Sequence, residues 1–345
     1  MRQVQYKNHD IVLSEIQERI IERPGDVKIR IAYSGICGSD LHLAKGDLDE
    51  DLRVKESQDN GLDIGHEASG YVVEMGKVIH SEKIKEGDKV ALYFNCYCGK
   101  CFNCRSGMEH YCSNIRMIDN FMSDYTIVDE QMIYPLPKDF DMRRAALIEP
   151  ISVCLHGIDM CNIKPGKTLA ISGAGGIGHI IMQLGINSGA VNITVFEPVE
   201  KKRTYALEAG AQYAINPMDK NFYESVMSIT KGRGFDYIIE CSGAESAIGG
   251  CFKVLSRGGT LELMAIYKSE CTLKSISTKE GFLKEAKIIA GVYQSPYTIY
   301  RAIEIANTMN VDCLINSIFE PEQVAKAFEA QIKGETIKSM IHFSD

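Results

Sequence analysis

From Lys167 onward the chain alternates short apolar runs with glycine turns and helical stretches. The first turn, Gly173-Ala174-Gly175-Gly176-Ile177-Gly178, restricts the possible folds more than any other feature. It follows the apolar run "TLAISG" and opens the helical pattern "GGIGHIIMQLGINSG". The runs "NITVFE", "YAIN", "FDYIIECSG" and "TLELMAI" come next, with "KKRTYALEAGA" as an intervening helix. Strands alternating with helices of this length imply βαβ units and a parallel sheet. A G-x-G-x-x-G turn between a strand and a helix lets the backbone approach a pyrophosphate, which sits among the unpaired N–H groups of the helix N-terminus. Such a turn also calls for an acid at the end of the next strand, and Glu197 stands there. A carboxylate in that place accepts ribose hydroxyls and repels a 2′-phosphate, so NAD is expected over NADP. Lys202 is the nearby cation that works against this preference.

Residues 1 to about 150 have another character. Short runs such as Val27–Tyr33 and Gly70–Val73 are broken by turn signals and read as β-rich. The polar, acidic stretch "KGDLDEDLRVKESQDNGLD" reads as a loop. After about residue 297 the pattern is mixed again and ends in "SMIHFSD", a predicted last strand. The N-terminus has no apolar leader pattern and no apolar run reaches about 18 residues, so a cytoplasmic chain without a membrane span is expected. A net charge of −8, with basic clusters as small as Lys201-Lys202-Arg203, argues against a nucleic-acid partner.

The chain holds 12 cysteines, and five crowd into "CYCGKCFNCRSGMEHYC". Cys98, Cys101, Cys104 and Cys112 are spaced C-x2-C-x2-C-x7-C, short enough to wrap four thiolates round one ion. Disulfides do not suit a cytoplasmic chain. The ferredoxin pattern continues with x3-C-P, which is missing here, so zinc is preferred to an iron–sulfur cluster. A site of four thiolates has no open position and is expected to hold a loop rather than to catalyse. Cys96 is the spare, expected as a small buried hydrophobe.

Chemistry is therefore expected elsewhere. Cys37 in "GICGSDLH" and His66 and Glu67 in "GHEASG" offer thiolate, imidazole and carboxylate from two loops. Three protein ligands and an exchangeable water are the pattern of a catalytic zinc. Glu149, in "ALIEPISV", is a fourth acid just before the glycine-turn region.

Taken in order, "GICGSDLH", "GHEASG", "CGKCFNCRSGMEHYC", "EP" and "SGAGGIG" resemble the zinc-dependent medium-chain dehydrogenases, the alcohol and polyol dehydrogenase superfamily. The sorbitol, idonate and threonine dehydrogenase branch is the most similar, because Glu67 is followed by Glu149-Pro150. The resemblance implies an α/β chain: a GroES-like β-barrel catalytic domain over 1–150 and 297–345, with a Rossmann doubly wound parallel sheet domain over 151–296. It implies Cys37, His66 and Glu67 as catalytic zinc ligands, with Glu149 as either a ligand or an outer base. Ser39 takes the place of the proton-relay hydroxyl, and His42 carries the proton outward or makes a structural hydrogen bond. It also implies two zinc ions per chain, NAD, a small alcohol or ketone substrate, and a homodimer or homotetramer. The alternatives are a threonine-type dehydrogenase, a zinc-free quinone reductase and a catalytically silent nucleotide-binding protein. Two segments depart from family habit: the acidic loop before "DIGHE", and a connection after Cys112 shortened by about a dozen residues, in which Phe121 and Tyr125 match the surviving part. That connection normally roofs the substrate pocket, so a more open pocket, or one covered by a neighbouring subunit, is expected.

Overall fold

The computed structural model describes residues 1–47, 61–81, 84–267, 276–291 and 294–345. Most of the acidic stretch, 48–60, lies outside the described residues, as does Cys271. The chain divides into two compact units: Met1–Ser152 with Gln294–Thr308 and Leu314–Asp345, and Val153–Tyr293 with Met309–Cys313. The first division falls inside the helix Ile148–Cys161. Sequence reading assigns all of 297–345 to the first unit. Met309–Cys313 instead packs with the second, where Met309 and Val311 are buried and the Asn310 N–H donates to Gln183 Oε1 at 3.0 Å.

The first unit is built on a largely antiparallel sheet. Its order is Ile133–Pro135, Lys89–Leu92, Glu67–Met75, Asp26–Gly35, Met340–His342 and Ile318–Phe319, with Tyr125–Asp129 also pairing to Asp26–Gly35. The strand Asp26–Gly35 does not alternate between core and solvent. It is paired along both edges, buried over most of its length, and its register against Glu67–Met75 shifts twice. Those irregularities bend the strand, and its last residue, Gly35, pairs with Glu67. The core beneath includes Val27, Ile29, Ile31, Ile64, Leu92, Phe121 and Met132. The C-terminal strand Met340–His342 pairs with Tyr33–Gly35, so the tail of the chain stands beside the Ile36–Cys37 turn.

The second unit holds a parallel sheet in the order Tyr213–Ile215, Val191–Phe196, Thr168–Ser172, Phe235–Glu240, Leu255–Leu263 and Lys287–Ala290. In chain order this is 3-2-1-4-5-6, the doubly wound arrangement expected from the strand–helix alternation. Its first strand is buried at every residue, as parallel strands covered on both faces are. Strand order reverses between Thr168–Ser172 and Phe235–Glu240, and ligands of such sheets bind outside the carboxyl ends of the strands at that point. No helix among the described residues is long and apolar enough to cross a membrane.

Candidate functional site

At the reversal point the glycine turn takes the shape its sequence demands. Gly173 ends the strand Thr168–Ser172, Gly175 caps the helix Gly176–Asn187, and Ile177 and Gly178 lie in its first turn. A Cβ on Gly178 would stand 1.9 Å from the Gly173 carbonyl oxygen, so only glycine lets the helix pack against its own entry turn. A Cβ on Gly175 would meet nothing within 4 Å, which leaves the helix N-terminus approachable by an anion. Glu197 is buried, with Oε2 accepting the Ala174 N–H at 2.8 Å and Oε1 the Val199 N–H at 3.0 Å. Both oxygens keep lone pairs for further donors. Lys202 sits on the next helix, Glu200–Glu208, but Arg203 is the cation that caps this strand end, donating to the carbonyls of Glu197 and Pro198 at 2.8 and 2.7 Å. Sequence reading overlooked Arg203.

In the first unit, Cys98, Cys101, Cys104 and Cys112 converge, every Sγ within 4.8 Å of the others. Sγ–Sγ separations of 3.5 Å (Cys101–Cys104), 3.9 Å (Cys101–Cys112) and 4.0 Å (Cys98–Cys104) bracket the ~3.8 Å edge of a tetrahedron with ~2.3 Å zinc–sulfur bonds. The backbone N–H groups of Cys98 and Asn114 both donate to Cys112 Sγ at 3.4 Å. Backbone N–H groups of Lys100 and Cys101 lower the Cys98 thiol to about 6, favouring the thiolate that a metal needs. Cys96 stays apart. It is buried, its thiol is pushed up to about 12 by burial, and Arg116 Nη2 donates to its sulfur at 3.3 Å.

A second group forms where the strands Asp26–Gly35 and Glu67–Met75 meet. Ligand atoms of Cys37, His66 and Glu67 lie within 4.8 Å of one another. Cys37 caps the helix Gly38–Ala44, which also carries Ser39 and His42. Ser39 is half-buried, and His42 Nδ1 is 2.9 Å from Asp47 Oδ2. Glu149, in the first turn of Ile148–Cys161, is not among these mutually close ligand atoms. It is buried nearby, raised to about 7 by burial, with Oε1 accepting from Gln294 Nε2 at 2.9 Å.

Four residues that sequence reading missed complete this group. Asp40 is buried, is raised to about 7 by burial, and accepts the Cys37 N–H at 2.8 Å. Asp119 Oδ1 is 3.3 Å from His66 Nδ1. Gln294 is wholly buried against Glu149. Lys338 reaches in from the C-terminal tail, pairs with Glu67 Oε2, and donates to the Ile36 carbonyl at 3.2 Å. Burial pulls the Lys338 ammonium down, but Glu67 and Cys37 outweigh it and the pKa is raised. A Cβ on Gly35 would stand 2.4 Å from Glu67 Oε2, so glycine there makes room for the carboxylate. Asp40 has a local cue, the carboxylate at the third position of a helix. The other three carry no sequence signal, because tertiary pairing alone brings them here.

The donor set fits a metal cation. Burial disfavours the His66 imidazolium, yet Cys37 and Asp119 hold it well above the ordinary histidine value. Acidic groups thus surround an imidazole, and soft, borderline and hard donors stand at coordination spacing, as zinc accepts.

Comparison with known proteins bears on this directly. Residues 23–138 match the model of the alcohol dehydrogenase GroES-like domain, and residues 176–308 that of zinc-binding dehydrogenases. An L-threonine 3-dehydrogenase of Pyrococcus horikoshii is 31% identical over 91% of this chain and 90% of its own length. A 2-dehydro-3-deoxy-L-galactonate 5-dehydrogenase of Pseudoalteromonas atlantica is 31% identical over 90% and 89%. Among solved structures, the alcohol dehydrogenase TADH of Thermus sp. ATN1 superposes with a TM-score of 0.88 at 20% identity, covering 99% of both chains, and so shows the fold.

Proposed function

The chain belongs to the zinc-dependent medium-chain dehydrogenase superfamily, and from that premise we propose that it interconverts a secondary alcohol and its ketone on a polyol, sugar alcohol or sugar acid, with NAD. The observation that carries this reading is the convergence of Cys37, His66 and Glu67 beside buried Glu149. When bound, zinc would supply Lewis acidity that lowers the pKa of the alcohol, and NAD would supply a hydride acceptor.

The rest is the work of this chain's residues. Cys37, His66 and Glu67 would hold the metal, and Lys338 pairs with Oε2 of Glu67. Glu149 would serve either as a fourth donor, as the ionised carboxylate, or as an outer base, where its rise to about 7 by burial lets it hold or release a proton near neutrality. The Ser39 hydroxyl takes the alcohol proton. His42, three residues along on the same face of the helix and bonded to Asp47, passes it outward. The turn Gly173–Gly178 receives the pyrophosphate, and the two anchored oxygens of Glu197 receive the ribose hydroxyls. Cys98, Cys101, Cys104 and Cys112 hold a second zinc that orders their loop. The working protein is a homodimer or homotetramer.

A threonine-type substrate is the second reading, favoured by the name of the Pyrococcus relative. Zinc quantification joined to NAD and NADP reduction across polyols, sugar acids, inositols and threonine separates the two. Two zinc per chain with NAD-linked oxidation of a polyhydroxy compound is expected. Metal-replete protein that reduces neither cofactor with any of them would overturn the proposal.

A further inference from the structure

We propose that Asp119 is the residue that positions His66, and that the clamped connection after Cys112 is what delivers it. This rests on the reading that Cys37, His66 and Glu67 hold zinc. Backbone bonds clamp the connection on both sides of Asp119. Arg116–Met117 pairs with Asn95–Cys96, and the Ile118 N–H donates to the Phe94 carbonyl at 2.8 Å. Beyond it, the Phe121 N–H donates to the Gly65 carbonyl at 2.8 Å, one residue before His66. Asn120 is fixed as well: its carbonyl accepts Ser123 Oγ at 2.9 Å and its Oδ1 accepts Thr126 Oγ1 at 2.6 Å. Asp119 is thus suspended between the segment bearing Phe94 and the segment bearing His66.

The same two segments set the imidazole. Its ring lies 5.1 Å from the Phe94 ring, tilted by 49°. With Asp119 Oδ1 as acceptor, Nδ1 carries the proton and Nε2 is left with the lone pair. A carboxylate on one ring nitrogen fixes the tautomer, aligns the ring and makes the other nitrogen more basic toward a metal. Asp40 lies within the same 4.8 Å group as His66 and Asp119, with its Oδ2 accepting the Cys37 N–H, but the carboxylate at hydrogen-bond distance from His66 Nδ1 is that of Asp119. The Asp119 side chain is 51% exposed, against 12% for His66. Replacing it therefore leaves no buried charge unpaired, and the effect falls on the metal rather than on the fold.

The test follows zinc release from full-length, zinc-loaded protein into excess dipicolinate, read with a zinc indicator, for wild type, Asp119→Asn, Asp119→Glu and Cys37→Ser. Wild type should release its zinc in two phases, of which Cys37→Ser retains one. Asp119→Asn should speed the missing phase about 10- to 100-fold and leave the other alone, and Asp119→Glu should restore it. An unchanged phase in Asp119→Asn would overturn the proposal, as would equal acceleration of both phases. If Cys37→Ser still shows both phases, the zinc reading itself fails and takes this inference with it.

Discussion

The four-cysteine lobe and the Cys37 group both gather metal donors, yet they are built in opposite ways. The lobe draws all its donors from residues 98–112, and backbone N–H groups are its main supports. The Cys37 group draws on two loops and is braced by charged side chains, with Lys338 coming from the C-terminal tail. Four like thiolates use up a tetrahedron, whereas three unlike donors leave a face open to a substrate. The closed site needs only a tight loop. The open one must hold an incomplete shell in place, and rigid outer partners do that.

The largest effect expected from this contrast comes from Cys37→Ser. Turnover should fall about 10⁴-fold, roughly 5 kcal/mol of barrier, with one zinc lost per chain. Melting temperature and NADH binding, read by the fluorescence of the reduced nicotinamide, should stay close to wild type. Full turnover would erase the distinction between the two sites. Next comes Lys338→Met, which strands the buried Glu67 carboxylate and should cost about 3–5 kcal/mol in zinc-free protein. Zinc should recover part of that loss by neutralising Glu67, so denaturant curves with and without metal sharpen the comparison. Equal losses in both would mean that Glu67 does not face the metal. The smallest effect is expected from Cys101→Ser, about 2 kcal/mol, because the lobe is a short segment of a large unit. Proteolysis should start within 98–112 while the folded fraction keeps its turnover per active site. A turnover loss matching that of Cys37→Ser would refute a purely structural lobe.

Much of this molecule is legible in one dimension. Gly173–Gly178 between strand and helix reads directly as a turn at the head of a parallel sheet, because strand, turn and helix are contiguous. The lobe is legible for the same reason. The return of Met309–Cys313 to the second unit is not, because the Asn310 N–H bond to Gln183 and the buried Met309 and Val311 leave no periodic trace. Arg203 was hidden beside Lys202, since a run of three cations on a helix does not say which one reaches the strand end.

By itself, the order of residues determined the donor types, the spacing of the four thiols and the glycine turn. These depend on contacts between near neighbours, where chain connectivity alone sets the distances. Tertiary structure decided which groups surround the donors: Asp119 on His66, Lys338 on Glu67, Gln294 on Glu149. Each is a pairing of charge or hydrogen bond between segments distant in sequence, and which segments meet is a property of the packed fold rather than of any local stretch.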